Sequence, residues 1–574
     1  RGIDASVLCP RTQALFTARL NCIQNKWRQR EPASVAALCQ LQPPKLSAAT
    51  IAAARPRDDD PTTTAPGSPR SRRVSTVEAI EETPLLQTPP RRRRSSGTVL
   101  TMPCISLGEW QASETPGFLW DNVAAGGVLA TNVFFNIAVL RLATLAAGCP
   151  APEDVDEDQG CSNKVYGLKP SSFLTTIIMC GQFSATALMP LVGAAVDYTS
   201  KRRHLGATSA WILCFTTLAQ ASISKQTWFY CSIGMALSIA SYVCHQVSVL
   251  SYLPGLSMVK PTEHGWADDP SERYKINSVA NAAALATQLS ITLFVSSVAF
   301  WFDLGDTATA AVAQGIVGSL LFVVYACVWT GRRDIVSCAF RDHAPTKQLP
   351  EGASLFLTAL NEVWNSWTTL KRRRPAARFF LSGYACAAAG MGSFGSLSVV
   401  FMHDRLRVDG STTVLVMALC VVFAVPASAS APRCMRYLGA RKTLICTIAY
   451  MVLTTILAAF VLCGPACRDR VWLFAPIWGV GFGVFYAANN AAWTELVPPD
   501  AVAQFMALYY FAAQVLSWAP PLAYAVLNQV YDDSQLALFV TAAWLALSLP
   551  FLRMAGDLQG EKEALIRDAA EASP

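Results

Sequence analysis

The sequence predicts an all-α integral membrane protein with twelve transmembrane helices in two six-helix repeats and a disordered N-terminal tail. Two observations support this fold class. From residue 118 onward the chain is a succession of apolar stretches of roughly 20 residues or more, the length that a helix needs to cross a bilayer core of about 30 Å. In addition, 52% of the residues are hydrophobic and only 15% are charged, whereas soluble domains carry about 25% charged residues.

The twelve predicted spans fall into two sets of six, separated by a longer polar connection. The N-terminal bundle, 118–330, contains spans at 118–146, 171–197, 205–224, 228–252, 277–301 and 309–330. The C-terminal bundle, 377–555, contains spans at 377–401, 412–432, 441–463, 471–497, 502–528 and 535–555. In the linker, 331–376, Leu355 to Leu370 have apolar residues at helical spacing. We expect them to form an amphipathic helix along the cytoplasmic membrane face.

The N-terminal tail, 1–117, is rich in Pro, Ser, Thr and Arg and lacks sustained periodicity, which is typical of disorder. Its first hundred residues contain 16 Lys and Arg but 8 Asp and Glu, so they account for the net charge of +7 of the whole chain. Residues 5–57 bear Arg and few acids, which fits either an organelle-targeting segment or a plain disordered arm. Residues 556–574 form a second, shorter tail.

The charges of the loops predict the orientation of the chain. Basic residues occur in every other loop, beginning with Lys201 to Arg203 after the second span and including Lys371 to Arg374 in the linker. The loop after the first span is acidic, with the run Glu153 to Asp158. The positive-inside rule therefore predicts that the basic loops and both termini are cytoplasmic.

Several classes of function have no support in the residues. The basic charge belongs to the tail, which argues against a nucleic-acid-binding body. Most of the 18 cysteines lie in apolar spans, the five histidines are far apart, and we expect no metal site and no cofactor. The sequence contains no P-loop and no Gly-x-Ser-x-Gly motif, so we expect neither an ATP-driven pump nor an enzyme.

The two-times-six layout with a long central link is that of the major facilitator superfamily, whose halves are parallel repeats. The loop after the second span resembles the signature loop of that superfamily, with Gly193, Asp197 and the basic pair Arg202 and Arg203. The resemblance implies that Gly193 permits close helix approach and that the charged residues act at a cytoplasmic gate. The corresponding loop of the second half keeps Gly439 and a basic pair but has no Asp.

Within this superfamily the chain most resembles the vacuole effluxer family, the autophagy-related vacuolar amino-acid exporters and their bacterial relatives. The residues that carry the resemblance are Phe118 to Ala124 at the entry of the first span, Tyr252-Leu253-Pro254 after the fourth, Arg273 with Ile276 to Ser278 before the fifth, and Gly479, Gly481 and Gly483 in the tenth. The resemblance implies transport of amino acids out of a vacuole or lysosome-like compartment.

Polar side chains inside apolar spans indicate a transport path, because hydrocarbon penalises them unless they face the bundle interior or water. We predict a substrate cavity lined from both halves by Asn132, Asn136, His245, Asn281, Gln288, Tyr486, Asn489, Asn490 and Trp493. The alternative is that these side chains form hydrogen bonds that hold helices together. Neutral amides and aromatic rings suit a polar solute that is uncharged or zwitterionic.

Proton coupling requires a titratable group whose charge changes during the cycle. The candidates are Asp121, His245 and Glu495. Asp121 and Glu495 lie near the predicted cytoplasmic boundary, where a structural ion pair is the alternative role. His245 lies deeper, and histidine is the side chain that ordinarily changes charge near physiological pH; a hydrogen-bonded structural histidine is the alternative role.

Three further features lie outside the spans. Cys149 and Cys161 bracket the acidic loop and predict a disulfide if that compartment is oxidising. In the tail, Glu81 with Leu85 and Leu86 fits an acidic-dileucine signal, read by adaptors that sort cargo to lysosomes or vacuoles. Arginine runs before Ser75 and before Ser95 and Ser96 fit kinase sites, and phosphorylation there would reduce attraction to anionic lipid.

These observations favour a secondary transporter that moves small neutral solutes, most plausibly amino acids, by alternating access. Its expected partners are the lipid bilayer, the solute, a proton and tail-binding adaptors and kinases. We expect a vacuolar or lysosomal membrane, with the plasma membrane as the other location. The alternatives are a sugar or polyol carrier of the same superfamily and a non-transporting membrane receptor or scaffold; a membrane-embedded enzyme is more remote. The solute, the coupling ion and the oligomeric state do not follow from the sequence.

Overall fold

The computed structural model describes residues 114–149, 163–256, 270–330, 339–341, 348–349, 353–496, 502–531 and 533–556. All of them lie within one compact unit, Arg94–Pro574. The described residues are mostly helical, and the only extended pairing among them is the isolated bridge between Val165 and Leu168. The predicted all-α class is confirmed.

The helices are numbered here in chain order. The N-terminal half contains α1 Thr115–Ala146, α2 Pro170–Tyr198, α3 Arg202–Gln220, α4 Trp228–Leu250, the short α5 Leu253–Leu256, α6 Pro270–Trp301 and α7 Asp306–Val328. The linker contains α8 Leu355–Arg373. The C-terminal half contains α9 Pro375–Asp404, α10 Gly410–Leu438, α11 Ala440–Val461, α12 Val471–Leu496, α13 Val502–Val515, α14 Ala519–Tyr531 and α15 Leu536–Met554.

Within the described residues, ten helices are long and apolar enough to cross a membrane, so the count of twelve stays a prediction. The two predicted spans not among the ten are the third, which is α3, and the eleventh, 502–528. The prediction of one continuous helix over 502–528 was wrong. The chain there forms two helices, α13 and α14, joined by a turn.

Two consecutive prolines explain why this span is broken. Pro520 and Pro521 lack amide hydrogens, and their rings clash with carbonyl groups one turn earlier. Between the two helices the backbone forms hydrogen bonds between residues three positions apart, which make a tighter turn than the α-helix. They run from Ser517 N to Gln514 O and from Ala519 N to Leu516 O, and both are 3.0 Å long. The break therefore lies in the middle of the eleventh span, between its two halves.

The two halves repeat one packing pattern. In the first half α1 packs against α7, α2 against α4, and α3 against both α4 and α7. In the second half α9 packs against α15, α10 against α12, and α11 against both α12 and α15, which are the corresponding pairs. The sequence-based prediction of two parallel repeats therefore agrees with the helix neighbours.

Small residues allow the closest of these packings. A side chain at Gly479 or Gly483 of α12 would overlap the backbone of α10 at Cys420 and Ala424. A side chain at Gly126 of α1 would likewise overlap the backbone of α6 at Ala284. Helices in a bilayer gain stability from such close contacts because lipid supplies no hydrophobic drive between them.

The two ends of the bundle differ in charge, and we name them accordingly. The basic end is the end at which α2 finishes at Tyr198 and α3 begins at Arg202. The opposite end is the end at which α1 finishes at Ala146 and α2 begins at Pro170.

Arginines near the basic end repeat from one half to the other. Arg203 at the start of α3 donates from Nε to the Trp329 carbonyl oxygen at the end of α7, at 2.9 Å. Arg441 at the start of α11 donates from Nε to the Leu552 carbonyl oxygen at the end of α15, at 3.1 Å. In each half a cation therefore meets the carbonyl end of the last helix, where the helix dipole favours positive charge.

Candidate functional site

A polar seam joins the two halves at the opposite end. Asn528 of α14 donates from Nδ2 to Ser171 Oγ and Ser172 Oγ at the start of α2, both at 3.0 Å. Lys169, which precedes α2, donates from Nζ to the Asn528 carbonyl oxygen at 2.8 Å. Ser172 Oγ also donates to the Ala525 carbonyl oxygen at 3.3 Å. All of these side chains are buried, so water does not compete with the seam.

Further contacts extend the seam to the middle of α2. Ser517 Oγ donates to Gln182 Oε1 at 2.9 Å, and Thr186 Oγ1 donates to the Gln514 carbonyl oxygen at 2.9 Å. These bonds use the turn between α13 and α14 that the two prolines create. The break in the eleventh span thus supplies polar groups to the contact between the halves.

The apolar cores show the same asymmetry between the two ends. One large cluster contains residues of both halves and includes Phe135 and Leu140 from the second part of α1 and Val400 from α9. At the basic end the N-terminal half has its own cluster, around Phe118, Tyr325 and Trp329, with buried members from that half and the linker alone. The shared cluster therefore includes the opposite end, whereas part of the N-terminal half forms a core of its own.

The C-terminal half contains a buried cluster of amides and aromatic rings, formed by α9, α12 and α13. Asn489 Nδ2 donates to the Tyr509 hydroxyl, which in turn donates to Asn490 Oδ1 at 2.7 Å. The Tyr509 ring stacks on Tyr384 with a centroid distance of 4.4 Å and an interplanar angle of 7°. Trp493 also stacks on Tyr509, with a centroid distance of 5.6 Å. We call these five residues the tyrosine–asparagine cluster.

Two polar atoms of this cluster lack a hydrogen-bond partner within the part of the chain that the structure describes. They are the Asn489 Oδ1 acceptor and the Trp493 Nε1 donor, both buried. Unpaired buried polar groups cost free energy, so native proteins retain few of them. Tyr486, one turn from Asn489 and Asn490 on α12, is 53% exposed.

The predicted cavity residues of the N-terminal half do not form a comparable cluster. Asn132 and Gln288 are half-buried, and Asn281 is exposed. Asn136 is buried, and its Oδ1 atom has no partner among the described residues. These side chains lie on α1 and α6, whereas His245 is fully buried at a different place, away from accessible space.

His245 of α4 is paired with Asp121 of α1 in the core of the N-terminal half. The Nε2 atom lies 3.0 Å from Asp121 Oδ1 and 3.2 Å from Oδ2. Trp329, after α7, donates from Nε1 to Asp121 Oδ1 at 2.8 Å. On the other side of the ring, His245 Nδ1 lies 3.2 Å from the Gly206 carbonyl oxygen of α3. Four helices or their ends thus converge on one buried pair of side chains, Asp121 and His245.

The partners of the His245 ring make this pair a candidate proton site. The Gly206 carbonyl oxygen can only accept, so a hydrogen bond there needs a hydrogen on Nδ1. Nε2 faces a carboxylate, so a hydrogen bond there needs a hydrogen on Nε2 or on Asp121. A carboxylate against a lone pair in a dry core would be costly.

The signature-loop residues have different surroundings. Asp197 is half-buried at the end of α2, next to Tyr198, whose hydroxyl is hydrogen-bonded to Glu362 of α8. Arg202 donates from Nη1 to the Ser251 carbonyl oxygen at 3.1 Å. A side chain at Gly193 would meet nothing within 4 Å. The expectation that Gly193 lies at a close helix approach is therefore wrong for this conformation.

Other predicted residues fall at or beyond the limits of the described chain. The side chain of Glu495 and the tail residues Glu81, Leu85 and Leu86 lie outside the described residues. Cys149 is disulfide-bonded, and the other described cysteines are free thiols. Its predicted partner, Cys161, also lies outside the described residues, so this pairing stays a prediction.

A cavity of about 600 Å³ lies away from the tyrosine–asparagine cluster, between α6, α7 and α10. Its lining includes Trp301, Asp306 and Ser411, which places it near the opposite end of the bundle. Asp306 there forms a 2.7 Å ion pair with Arg141 of α1. Arg141 therefore has an acidic partner at this end of the bundle.

Several important residues were missed by the sequence-based reasoning. They are Lys169, Trp329, Tyr384, Tyr509 and Asn528. Trp329 and Lys169 lie at helix ends, where polar side chains are common and therefore do not indicate a functional role. Tyr384, Tyr509 and Asn528 lie inside predicted spans, and the rule that polar groups in spans mark function would have found Asn528 and the two tyrosines.

Comparisons with known proteins agree with this architecture. The family described as "Vacuole effluxer Atg22 like" matches residues 113–565. Autophagy-related protein 22 of Pyricularia oryzae is 20% identical over 480 residues, covering 72% of this chain and 70% of its own. Autophagy-related protein 22 of Cryptococcus neoformans var. neoformans is 21% identical over 203 residues, 33% of this chain and 36% of its own.

Solved transporter structures share the fold at low sequence identity. A structure of the peptide transporter POT in complex with sulfate superposes with a TM-score of 0.52 and 12% identity, covering 79% of this chain and 95% of its own. A POT family transporter in complex with 5-aminolevulinic acid has a TM-score of 0.51 and 11% identity, with 77% and 96% coverage. At this identity the likeness establishes the fold alone, and it is that of major facilitator transporters.

The family match covers more than half of the chain, and it coincides with the part that contains both repeats of the helix packing pattern. The family and the structural neighbours are transporters rather than enzymes. The chain is therefore a multi-pass membrane protein that belongs to the Atg22-like vacuole effluxer family.

Proposed function

We propose that this protein exports small neutral amino acids from a vacuole or lysosome-like compartment to the cytoplasm by alternating access. The observation that carries the proposal is the tyrosine–asparagine cluster, which combines a buried unpaired acceptor with a buried unpaired donor beside stacked aromatic rings. An ammonium group favours an amide oxygen and the faces of aromatic rings. A carboxylate favours the indole N–H of Trp493. A zwitterion carries both groups.

The asymmetric contacts between the halves support a defined state of the cycle. The positive-inside rule orients the basic end toward the cytoplasm. The seam of Lys169, Asn528, Ser171 and Ser172 then closes the lumenal end. In this orientation the structure is the cytoplasm-facing state, from which an exported solute leaves. The vacuolar membrane is the location that the family description favours.

The test is solute counterflow with the full chain in proteoliposomes, using labelled neutral amino acids and labelled sugars in parallel. We expect saturable exchange of amino acids. Tyr509→Phe keeps the stacked ring but removes the hydroxyl that bridges Asn489 and Asn490. Because Asn489 and Asn490 then lose the hydroxyl that positions them, the apparent KM should rise. Tyr531→Phe, at an exposed tyrosine, is the matched control.

Other outcomes of the same measurement have definite meanings. Exchange of sugars without amino acids would retain the transporter class and reject the amino-acid assignment. No exchange of any solute by folded protein would favour a receptor or scaffold. Equal KM values for Tyr509→Phe and wild type would remove the tyrosine–asparagine cluster from the substrate path.

We propose that the Asp121–His245 pair carries the coupling proton. Support comes from the carboxylate that faces Nε2, the carbonyl oxygen that faces Nδ1 and the four elements that meet there. Losing the proton removes the attraction between α1 and α4, which links protonation to helix position. The other titratable groups near the pair are Tyr325, Tyr242 and Cys214.

Asp121→Asn separates coupling from structure. Its amide oxygen can accept from Trp329 Nε1 and its amide nitrogen can donate to His245 Nε2, so the hydrogen bonds persist while the proton is lost. We expect amino-acid exchange to continue but acceleration by a pH gradient to disappear. A gradient response that equals that of wild type would show that the pair is structural only.

A further inference from the structure

The linker helix α8 exposes an apolar face that the bundle does not cover. Its side chains there are large, and Leu357 and Trp364 are 60% and 67% exposed. The exposed apolar residues are Phe356, Leu357, Leu360, Trp364 and Trp367. At 100° per residue these five lie within about 100° of arc, so they form one continuous stripe along the helix.

A second face of α8 packs on the protein. Ala359 and Leu370 are buried, and α8 contacts α2 and α9. On the same face Glu362 accepts a hydrogen bond from Tyr198 at the end of α2. The remaining face is polar and includes the exposed Asn361, Asn365 and Arg372. The helix therefore has three sectors, of which one faces the protein, one is apolar and exposed, and one is polar.

The position of α8 relative to the membrane follows from its neighbours. It ends at Arg373, and the membrane-spanning helix α9 begins at Pro375. Its other contact is with α2 at the basic end, where that span finishes. A helix fixed at two span boundaries lies at the membrane surface, and its exposed stripe is at the depth of the acyl-chain boundary.

The charges of α8 indicate which lipids it meets. Lys371 lies within the arc of the apolar stripe at the last turn and is exposed, so its stem can follow the apolar surface while its ammonium reaches the headgroups. Arg372 is exposed beside it. Two tryptophans in the stripe favour the interface, where an apolar ring and a polar N–H are both accommodated.

We propose that α8 is a lipid-binding helix that inserts this stripe into the leaflet at the basic end and recognises anionic headgroups through Lys371 and Arg372. The molecules that cover this apolar stripe are phospholipids. Because Glu362 contacts Tyr198, the bound leaflet is connected directly to the signature loop between α2 and α3.

The test is photocrosslinking of the full chain in nanodiscs of phosphatidylcholine with about 30% phosphatidylserine, an anionic lipid. p-Benzoylphenylalanine replaces Trp364 in one sample and Asn365 in the other. These neighbours are both exposed, but Trp364 is in the apolar stripe and Asn365 is in the polar sector. We expect lipid adducts, detected by intact-protein mass spectrometry, at position 364 and not at 365.

A charge-reversal variant tests the headgroup preference. In Lys371→Glu with Arg372→Glu, the ratio of phosphatidylserine to phosphatidylcholine among the adducts at position 364 should fall about fivefold for each charge removed. Equal adducts at 364 and 365 would overturn the insertion of the stripe. Crosslinks from 364 to a second protein chain instead of lipid would also overturn it. An unchanged phosphatidylserine share would overturn the role of Lys371 and Arg372.

Discussion

Asn528 provides the sharpest test of how the two halves are held together. Replacing Asn528 with Ala removes two hydrogen bonds to Ser171 and Ser172, each 3.0 Å long, without altering the backbone acceptor that Lys169 uses. Interhelical bonds inside membranes are worth about 0.6 kcal/mol each. The closed seam should therefore lose about 1.2 kcal/mol, which corresponds to an about eightfold shift in the equilibrium between closed and open seams.

Hydrogen exchange in nanodiscs, followed by mass spectrometry, measures this shift. Peptides at the start of α2 and the end of α14 should exchange about eightfold faster in Asn528→Ala than in wild type. Alternating access also predicts slower exchange at the basic end of α2, because opening one end closes the other. Asn122→Ala is the matched control, since its buried amide donates to Phe118 O at 2.8 Å within α1 alone.

Two results would refute the reasoning about the seam. One is a change of less than twofold in the α2 and α14 peptides of Asn528→Ala. The other is a general increase of hydrogen exchange, seen either as faster exchange throughout the bundle of Asn528→Ala or as an equal increase in Asn122→Ala. Either result would mean that Asn528 contributes to general stability and not to a seam that opens.

The remaining predictions concern stability, measured by thermal unfolding in detergent. Gly206→Ala places a methyl group into the indole of Trp329, so we expect the free energy of unfolding to fall by about 1–3 kcal/mol. Gly193→Ala is the control, because a methyl group there meets open space and should cost no stability. Equal effects of the two substitutions would contradict this packing. Asp121→Ala should lower the free energy of unfolding by about 3–5 kcal/mol, because it leaves the buried His245 without this partner. Asp121→Asn should lower it much less, because the amide can replace the hydrogen bonds. Similar losses for the two variants would contradict the assigned bonds. Asp409 caps α10 by accepting from Thr412 N at 3.0 Å, so Asp409→Ala should cost about 1 kcal/mol. Desolvation opposes ionisation of Asp409, but hydrogen bonds from Ser411 and Thr412 outweigh it and hold its pKa below the ordinary value. The stabilisation by ionised Asp409 is therefore complete above the pKa of this group in the unfolded chain, and it disappears as the pH falls through the lower pKa in the folded protein. The unfolding temperatures of wild type and Asp409→Ala should become equal only in that acidic range.

The sequence predicted the helices well because membrane spans are determined by local composition. Apolar length alone places a helix across a bilayer, and the linker helix was recognisable from its spacing around Leu355 to Leu370. The eleventh span is the exception. Hydropathy treats Pro520 and Pro521 as ordinary members of an apolar stretch, whereas their missing amide hydrogens divide the span into α13 and α14.

The candidate site was predictable only in part. Asn489, Asn490 and Trp493 lie on one face of one helix, and periodicity brings such residues together. Their partner Tyr509 is on α13, and no periodic pattern indicates which tyrosine of another helix will meet them. For the same reason the sequence placed His245 in a cavity, although it is fully buried.

The sequence by itself determined the membrane class, the division into two repeats, the basic and acidic ends and the chemistry available inside the spans. These properties depend on the composition and spacing of neighbouring residues. Only the tertiary structure decided that Asp121 and His245, which are 124 positions apart, lie within hydrogen-bond distance of each other, and that Asn528 bonds to the start of α2. The reason is that helix rotation and crossing are set by packing between distant segments, including close contacts at glycines, and a single apolar stretch contains no information about its neighbour.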